Sequence, residues 1–331
     1  MNIKSIKCLA IIAVSPTLLC AQQRDATVTE RPTAPPSSIT SPNSDSANVD
    51  SSDAGAQRPI FMKTENISVF GGAESKYLYR NNPLSSADKL SRVETAMFIN
   101  TLFAGASFEP IETEDAVVTP YLGTSYTTTE YMESGLGALD FRSTSAYVML
   151  MAQHANGWAY RIGISYAMDK SKTSKEETYK EFYPNVGAMK MHTINDKLIG
   201  ILDLSGGLHK SESVPNPFGP FSSKGELDNL DVTAAYGLRY AYENFVFSPR
   251  YSVTYKDYTE GVESVNNGRD EIIQSITLKI DYPINQHLKA SLFGGYSSRD
   301  SSGGVLQDAG VIDYDFESTD GGISLGLYMT F

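Results

Sequence analysis

The sequence has very little cysteine, a single tryptophan and no long apolar run beyond its first 21 residues. Its two cysteines, Cys8 and Cys20, both lie in that first segment. The rest of the chain therefore can form neither a disulfide nor a CxxC redox or metal site. A helical membrane protein is excluded as well, because such a protein needs runs of about 18 or more apolar residues. Alternating strands remain compatible with the mean hydropathy of −0.25.

Basic residues are also in the minority. The chain has 27 Lys and Arg against 39 Asp and Glu, which gives a formal net charge of −12. Such a chain lacks the basic footprint that nucleic-acid binding requires, so no nucleic-acid partner is predicted. The sequence contains pairs of adjacent glycines, but none precedes a predicted helix as in a phosphate-binding loop. The acids in the predicted loops lack the spacing of a calcium-binding EF-hand loop. We therefore predict neither a metal nor a cofactor.

The first 60 residues form two segments of different composition. Residues 1–21 place Lys4 and Lys7 before an apolar run that ends at Cys20, which is the pattern of a cleaved signal peptide. Cleavage would remove two bases and leave 25 against 39 acids, a net charge of −14. Residues 22–60 are rich in Ser, Thr, Pro and Asp. Because they cannot bury a core, they are predicted to form a disordered periplasmic tail.

Residues 61–331 show the alternation of apolar and polar residues that indicates β-strands. Short turns and longer polar loops alternate between these segments, and both ends of the set lie on the short-turn side. The fold class predicted is all-β: a transmembrane antiparallel up-and-down β-barrel of about 12 strands. The segments lie at about 65–80, 91–108, 115–132, 140–153, 158–169, 180–194, 197–210, 229–242, 245–258, 271–283, 287–298 and 321–331.

The last strand has one apolar face, formed by Ile323, Leu325, Leu327, Met329 and Phe331. An apolar edge strand at a chain terminus promotes aggregation unless it is covered, and closing a barrel in lipid removes that edge. The stretch resembles the C-terminal assembly strand of Gram-negative outer-membrane barrels, which typically ends in Phe. The resemblance implies that Leu325, Leu327, Met329 and Phe331 form an assembly signal. It also implies an outer-membrane location, with the barrel assembly machinery, periplasmic chaperones, outer-membrane lipid and lipopolysaccharide as partners.

A second resemblance lies in the first strand. Ser75 to Arg80 is similar to the S-x-Y-x-aromatic-R-G first strand of some uncharacterised bacterial outer-membrane barrel proteins, with Asn81 in place of the glycine. Aromatic residues also gather near both ends of the strands, as expected for interfacial girdles. Those near the short turns are Trp158, Tyr240, Tyr242, Phe245, Phe247, Tyr282 and Phe331, and those near the loops are Tyr77, Tyr79, Tyr131, Phe141, Tyr255 and Tyr296.

Several charged residues fall in phase with the inward face of the strands. On the lipid face each would cost about 2–4 kcal/mol near the midplane, so they are predicted to lie in the lumen. The candidate lumen-lining residues are Glu74, Lys76, Arg161, Asp203, Arg239, Arg250, Lys279, Asp281 and Lys289. With a two-residue turn at Asn285-Gln286, Asp281 is expected to pair with Lys289 across the strands. Asp203 on the seventh segment is a candidate partner of Arg239 across the adjacent part of the wall.

The charge balance near the short turns suggests a selectivity. Five bases (Arg161, Arg239, Arg250, Lys279 and Lys289) are counted there against one acid, Asp281. Because rings of bases favour anions, we predict a weakly anion-preferring constriction below an acidic mouth. The alternative is that the bases pair with further inward acids and fill the barrel.

Three functions are compatible with this pattern. The first is a small-diameter porin or solute channel, and the second a structural or surface-interaction barrel without transport. The third is an outer-leaflet lipid-modifying enzyme. For this function, only His209 lies at the outer end of a strand, with Ser205, Ser211 and Glu212 nearby in sequence. A nucleophile and its base must lie within hydrogen-bond reach, which sequence proximity does not establish. We therefore predict no enzymatic activity, and the oligomeric state stays open.

Overall fold

The computed structural model describes residues 67–82, 94–213, 227–259, 266–308, 310 and 313–331. The predicted signal peptide (1–21) and tail (22–60) lie outside these residues. Within the described ranges, no helix is both long and apolar enough to cross a membrane.

Twelve long antiparallel strands pair in chain order and form one sheet. A two-residue strand, β3, pairs only with the start of β4, so β2 and β4 are neighbours in the wall. The predicted all-β, twelve-stranded up-and-down barrel is confirmed. The strands are β1 (Ile67–Arg80), β2 (Thr95–Phe108), β3 (Ile111–Glu112), β4 (Ala116–Tyr131), β5 (Phe141–His154), β6 (Trp158–Ser171), β7 (Glu177–Asn195), β8 (Leu198–Ser213), β9 (Asn229–Tyr242), β10 (Phe245–Tyr258), β11 (Asp270–Pro283), β12 (Leu288–Ser302) and β13 (Phe316–Thr330).

The seam between β1 and β13 closes the barrel. Their register runs from Phe70 opposite Thr330 to Arg80 opposite Asp320. Beyond the end of β13, the Phe331 N–H donates to the Val69 carbonyl at 2.7 Å, and the Val69 N–H donates to the Phe331 carbonyl at 3.1 Å. Every long strand therefore has two neighbours, which satisfies the backbone groups that lipid cannot.

The outer face of the wall is apolar along the strands. On β13 the alternate residues Ile323, Leu325 and Leu327 point outward and are exposed, whereas Ser324 between them is buried. The same alternation on the other strands gives a continuous apolar exterior, which is what the hydrocarbon core of a bilayer requires. Together with the closed sheet, this makes the protein an outer-membrane-type β-barrel.

The connections differ in length at the two ends. At one end, called here the short-turn end, five connections of two to seven residues lie together with the first and last strand termini. At the other, the long-loop end, six connections contain five to fifteen residues. In bacterial outer-membrane barrels the short turns face the periplasm.

One predicted turn is longer than expected. The connection between β11 and β12 contains four residues, Ile284–His287, rather than Asn285-Gln286 alone. The side-chain oxygen of Asn285 accepts hydrogen bonds from the backbone N–H groups two and three residues further on, at 2.8 and 2.9 Å, and this stabilises the wider turn. As a result Asp281 lies opposite Ser291, so the expected register with Lys289 is wrong, although the expected ion pair between Asp281 and Lys289 is present at 3.9 Å.

Two adjacent glycines near the seam give a testable prediction. A Cβ on Gly322 would lie 2.2 Å from the Tyr77 carbonyl oxygen, whereas one on Gly321 would have no neighbour closer than 3.6 Å. We expect Gly322→Ala to lower the free energy of unfolding by about 1–3 kcal/mol, because the backbone of β1 at Tyr77 and that of β13 must move apart to make room for the methyl group. Gly321→Ala should change it by about 0.5 kcal/mol or less. Urea unfolding in detergent micelles measures both, and equal losses would contradict the seam geometry.

Candidate functional site

Inside the wall formed by β1, β2, β4 and β5, buried apolar side chains gather in two clusters among inward polar residues such as Ser125 and Ser145. The cluster near the long-loop end contains Leu78, Met97, Ile99, Tyr131 and Leu136. The cluster near the short-turn end contains Phe70, Tyr121, Tyr147, Met149 and Met151. The assignment of Tyr131 to the outer aromatic girdle is therefore wrong: it is only 6% exposed and packs inside the barrel. Its partners inside are the apolar residues of β1 and β2.

Glycines on neighbouring strands let several inward rings lie along the wall. Gly105 lies opposite Phe70, and a Cβ there would lie 2.4 Å from the ring carbon Cζ. Gly123 lies opposite Tyr147, and its Cβ would lie 2.5 Å from the Tyr147 hydroxyl oxygen. Because the rings occupy the space of the missing side chains, they lie over the adjacent strand instead of pointing straight toward the barrel axis.

The structure places all nine candidate lumen residues on the inward face. Arg161, for example, lies between the exposed outward residues Tyr160 and Ile162, and Arg250 precedes the exposed Tyr251. Lys76 follows Glu74 on the same face of β1 and its Nζ lies 3.3 Å from the Glu74 carboxylate. Whether these residues line a solute path stays a prediction.

Asp203 of β8 joins two of the bases. Its carboxylate lies 2.8 Å from the Arg161 guanidinium and 3.6 Å from that of Arg250. The considered pairing of Asp203 with Arg239 is therefore wrong. Arg161 reaches Asp203 across β7 at Gly187, where a Cβ would lie 2.7 Å from the Arg161 Cζ. The missing side chain at position 187 makes this contact between non-adjacent strands sterically feasible.

Asp281 of β11 is the centre of a second group. Its carboxylate lies 3.3 Å from the Lys279 Nζ and 3.9 Å from the Lys289 Nζ, and it accepts a hydrogen bond from the Ser291 hydroxyl at 2.6 Å. The Lys289 ammonium also lies 4.9 Å from the centre of the Tyr328 ring. The negative charge of Asp281 thus lies close to the positive charges of Lys279 on β11 and Lys289 on β12.

The positive excess in this half of the lumen is smaller than expected. Asp203 and Glu74 face inward as well as Asp281, and Lys76 pairs with Glu74, so six bases meet three acids, whereas five bases were expected to meet one. Arg239 interacts electrostatically with Asp281, but among the described residues no acid lies within ion-pair distance of its guanidinium. Arg250 shares Asp203 with Arg161 and keeps 48% of its side chain exposed inside the barrel. A net positive field remains around Arg239 and Arg250.

The long-loop half of the lumen contains a buried polar network that was not predicted from the sequence. The Nδ1 of His209 on β8 contacts the Glu181 carboxylate on β7, and its Nε2 lies 3.3 Å from the Asp231 carboxylate on β9. The imidazole stacks on the Tyr183 ring with 4.0 Å between ring centres. Both ring nitrogens thus face carboxylates, so the geometry does not present the serine–histidine pair considered from the sequence. Ser211 donates its hydroxyl to Asp228 instead.

A second buried network lies near the last two loops. The Glu271 carboxylate on β11 contacts the guanidinium of Arg269, and the Arg299 Nη1 lies 3.4 Å from it. Arg269 is held between two rings, with its Cζ 4.5 Å from the centre of Tyr258 and 3.7 Å from the centre of Tyr314. These charges are fully buried, so this part of the lumen is filled by side chains.

The strand alternation contained a signal for these networks. Glu181, His209, Asp231 and Glu271 are in phase with the inward face, but they lie where strands were predicted to end and loops to begin. In the structure β7 starts at Glu177 and β8 continues to Ser213, so the wall extends further toward the loops. Among the described residues, no group of three or more His, Cys, Asp or Glu side chains is arranged to hold a metal ion.

No protein-family model and no curated protein matches the sequence. Solved structures with a similar chain path include the translocator domain of the autotransporter NalP from Neisseria meningitidis, at 13% identity over 81% of this chain and 90% of that chain, with a TM-score of 0.39. The KdgM porin is 8% identical over 77% and 98%, with a TM-score of 0.38. An outer membrane channel from Pseudomonas putida F1 is 9% identical over 80% and 94%, with a TM-score of 0.42. Similarity this low says nothing of the protein's activity, and the barrel is established by its own strand pairing.

Proposed function

We propose that the protein is a small-diameter pore of the Gram-negative outer membrane that prefers small anionic solutes. It would reach that membrane through its signal peptide and the barrel assembly machinery. Three features support the pore: aromatic rings that lie along the wall over glycines, a base excess in the short-turn half, and charged side chains there that stay exposed inside the barrel. The proposal includes no catalytic step.

The arrangement of Arg239 and Arg250 is the observation that carries the anion preference. Arg250 on β10 lies opposite Gly237 on β9, so Arg239 is its diagonal neighbour on the same inward face. Like charges at neighbouring positions of a sheet repel each other. A passing anion would relieve this repulsion, and the water inside a pore would screen it only in part.

Ion selectivity tests this proposal. We expect discrete ohmic conductance steps for the purified protein in a planar bilayer, and a reversal potential in a KCl gradient that indicates preference for chloride. Arg239→Glu combined with Arg250→Glu should shift that preference toward potassium, because it replaces two positive charges with two negative ones. Low ionic strength gives the clearest effect, since salt screens the field. The neutral pair Arg239→Gln with Arg250→Gln should give an intermediate value.

A variant with the same change of charge on the outer surface serves as the control. Arg142→Glu combined with Lys170→Glu alters the exterior near the long loops and should leave the reversal potential unchanged. Cation preference of the wild type, or equal shifts in the lumen and surface variants, would contradict the anion preference.

The second candidate is a structural barrel without transport. The buried networks around His209 and Glu271 favour it, because they fill parts of the long-loop half of the lumen with paired side chains. If the barrel is structural, the purified protein should show no conductance in a planar bilayer. Heat-modifiable gel mobility shows that the protein tested is folded. Discrete conductance steps in the bilayer would contradict a purely structural function.

A further inference from the structure

Two bases stand directly opposite each other on the outside of the wall. Arg142 on β5 is paired in register with Lys170 on β6, close to the long-loop end of both strands. Arg142 and Lys170 are both exposed, whereas their neighbours on the inward face, Ser143 and Asp169, are 3% and 0% exposed. Like charges in directly opposite positions destabilise a sheet, so this arrangement needs a compensating anion.

The described residues do not supply that anion. Neither Arg142 nor Lys170 has an acid within ion-pair distance among them. The outward acids nearest in the sheet are engaged elsewhere: Glu130 contacts Lys172, and Glu177, which lies opposite Lys170, is 3.6 Å from the Lys180 Nζ. Two positive charges therefore face the membrane surroundings side by side.

An apolar stripe continues from this pair along the same two strands. The outward neighbours toward the short-turn end include Val148 opposite Ile164 and Leu150 opposite Ile162, and all four are exposed. From Arg142 to Leu150 the strand covers roughly 26 Å of its own length, and at the tilt of about 35–45° usual for such strands this is longer than the half of the bilayer core that the acyl chains of one leaflet fill. The surface thus combines two bases at one end with an acyl-compatible face below them.

Other outward positions at the long-loop end carry acids. The Asp270 carboxylate accepts a hydrogen bond from the Tyr255 hydroxyl at 2.7 Å, and Glu94 accepts one from Tyr79. An anionic headgroup would be repelled there, and the chain as a whole has a net charge of −12. The basic pair is therefore a local feature and does not follow from composition.

We propose that Arg142 and Lys170 bind the phosphate of an outer-leaflet glycolipid of the lipid A class, with its acyl chains along the apolar stripe. The Arg guanidinium can donate two parallel hydrogen bonds to phosphate oxygens, and the Lys ammonium adds a point charge beside it. The phosphate relieves the repulsion between the two bases. This site is separate from the lumen and does not depend on a pore.

Native mass spectrometry of the purified barrel, titrated with lipid A in detergent, tests the site. We expect Arg142→Glu combined with Lys170→Glu to weaken binding about tenfold or more, because charge-assisted contacts become repulsive. Arg239→Glu with Arg250→Glu, the same charge change inside the barrel, should bind lipid A like the wild type. Dephosphorylated lipid A should bind the wild type as weakly as lipid A binds the surface variant.

Gel mobility before and after heating shows that each variant is folded. If the double Glu variant does not fold, Arg142→Gln with Lys170→Gln decides the question, since both positions are exposed. Equal lipid A affinity in wild type and surface variant, equal losses in surface and lumen variants, or equal binding of dephosphorylated lipid A would each overturn the proposal.

Discussion

Replacing Glu271 by Gln should lower the free energy of unfolding by about 3–5 kcal/mol, because two buried guanidinium groups would lose the carboxylate between them. The Glu271 side chain is 0% exposed, and those of Arg269 and Arg299 are 3% and 1% exposed. Water therefore cannot take over the role of the carboxylate. Urea unfolding of the barrel in detergent micelles, followed by tryptophan fluorescence and gel mobility, measures the loss.

The matched control is Glu212→Gln. Glu212 also pairs with a base, since its carboxylate lies 2.9 Å from the Lys180 Nζ, but its side chain is 41% exposed. Exposed pairs contribute about 0–1 kcal/mol, so this variant should differ little from the wild type. Faster proteolysis at the last loop should accompany Glu271→Gln, because Arg269 packs on Tyr314 there. Equal stability of the two variants would show that the network does not hold the barrel together.

Deleting Phe331, or replacing it by Asp, should lower the amount of protein in the outer membrane several-fold. Phe331 makes the last two backbone hydrogen bonds of the seam, and at 71% it is more exposed than any apolar residue of β13. It also completes the alternating face that resembles an assembly signal. Quantitative immunoblots of outer-membrane fractions, with heat-modifiable mobility as the measure of folding, follow the effect.

Two comparisons separate recognition from stability. Phe331→Tyr keeps an aromatic ring and should assemble at nearly the wild-type level. Purified Phe331→Asp, refolded in detergent without other proteins, should reach a folded barrel, because only the end of one seam is altered. Wild-type abundance of the Asp variant in the membrane would remove Phe331 from the assembly signal.

The barrel could be predicted from the sequence because its determinants are local. Alternation with a period of two sets which side chains point to lipid, and short connections fix antiparallel neighbours. The turn at Glu243–Asn244 was predicted and is present, with Glu243 at a φ of 51°. The turn at Asn285 was predicted two residues too short, because the hydrogen bonds from its side chain widen it.

Alternation by itself determined that the chain is a twelve-stranded barrel and that Arg161, Asp203 and Arg250 point inward. Only the tertiary structure decided which of them meet, because Asp203 lies two strands from both Arg161 and Arg250. The curvature of a closed wall brings such strands together, and Gly187 leaves the space that the Arg161 side chain crosses. The contact of Glu271 with Arg269 depends in addition on the path of the loop that contains Arg269, and a periodic pattern contains no information about that path.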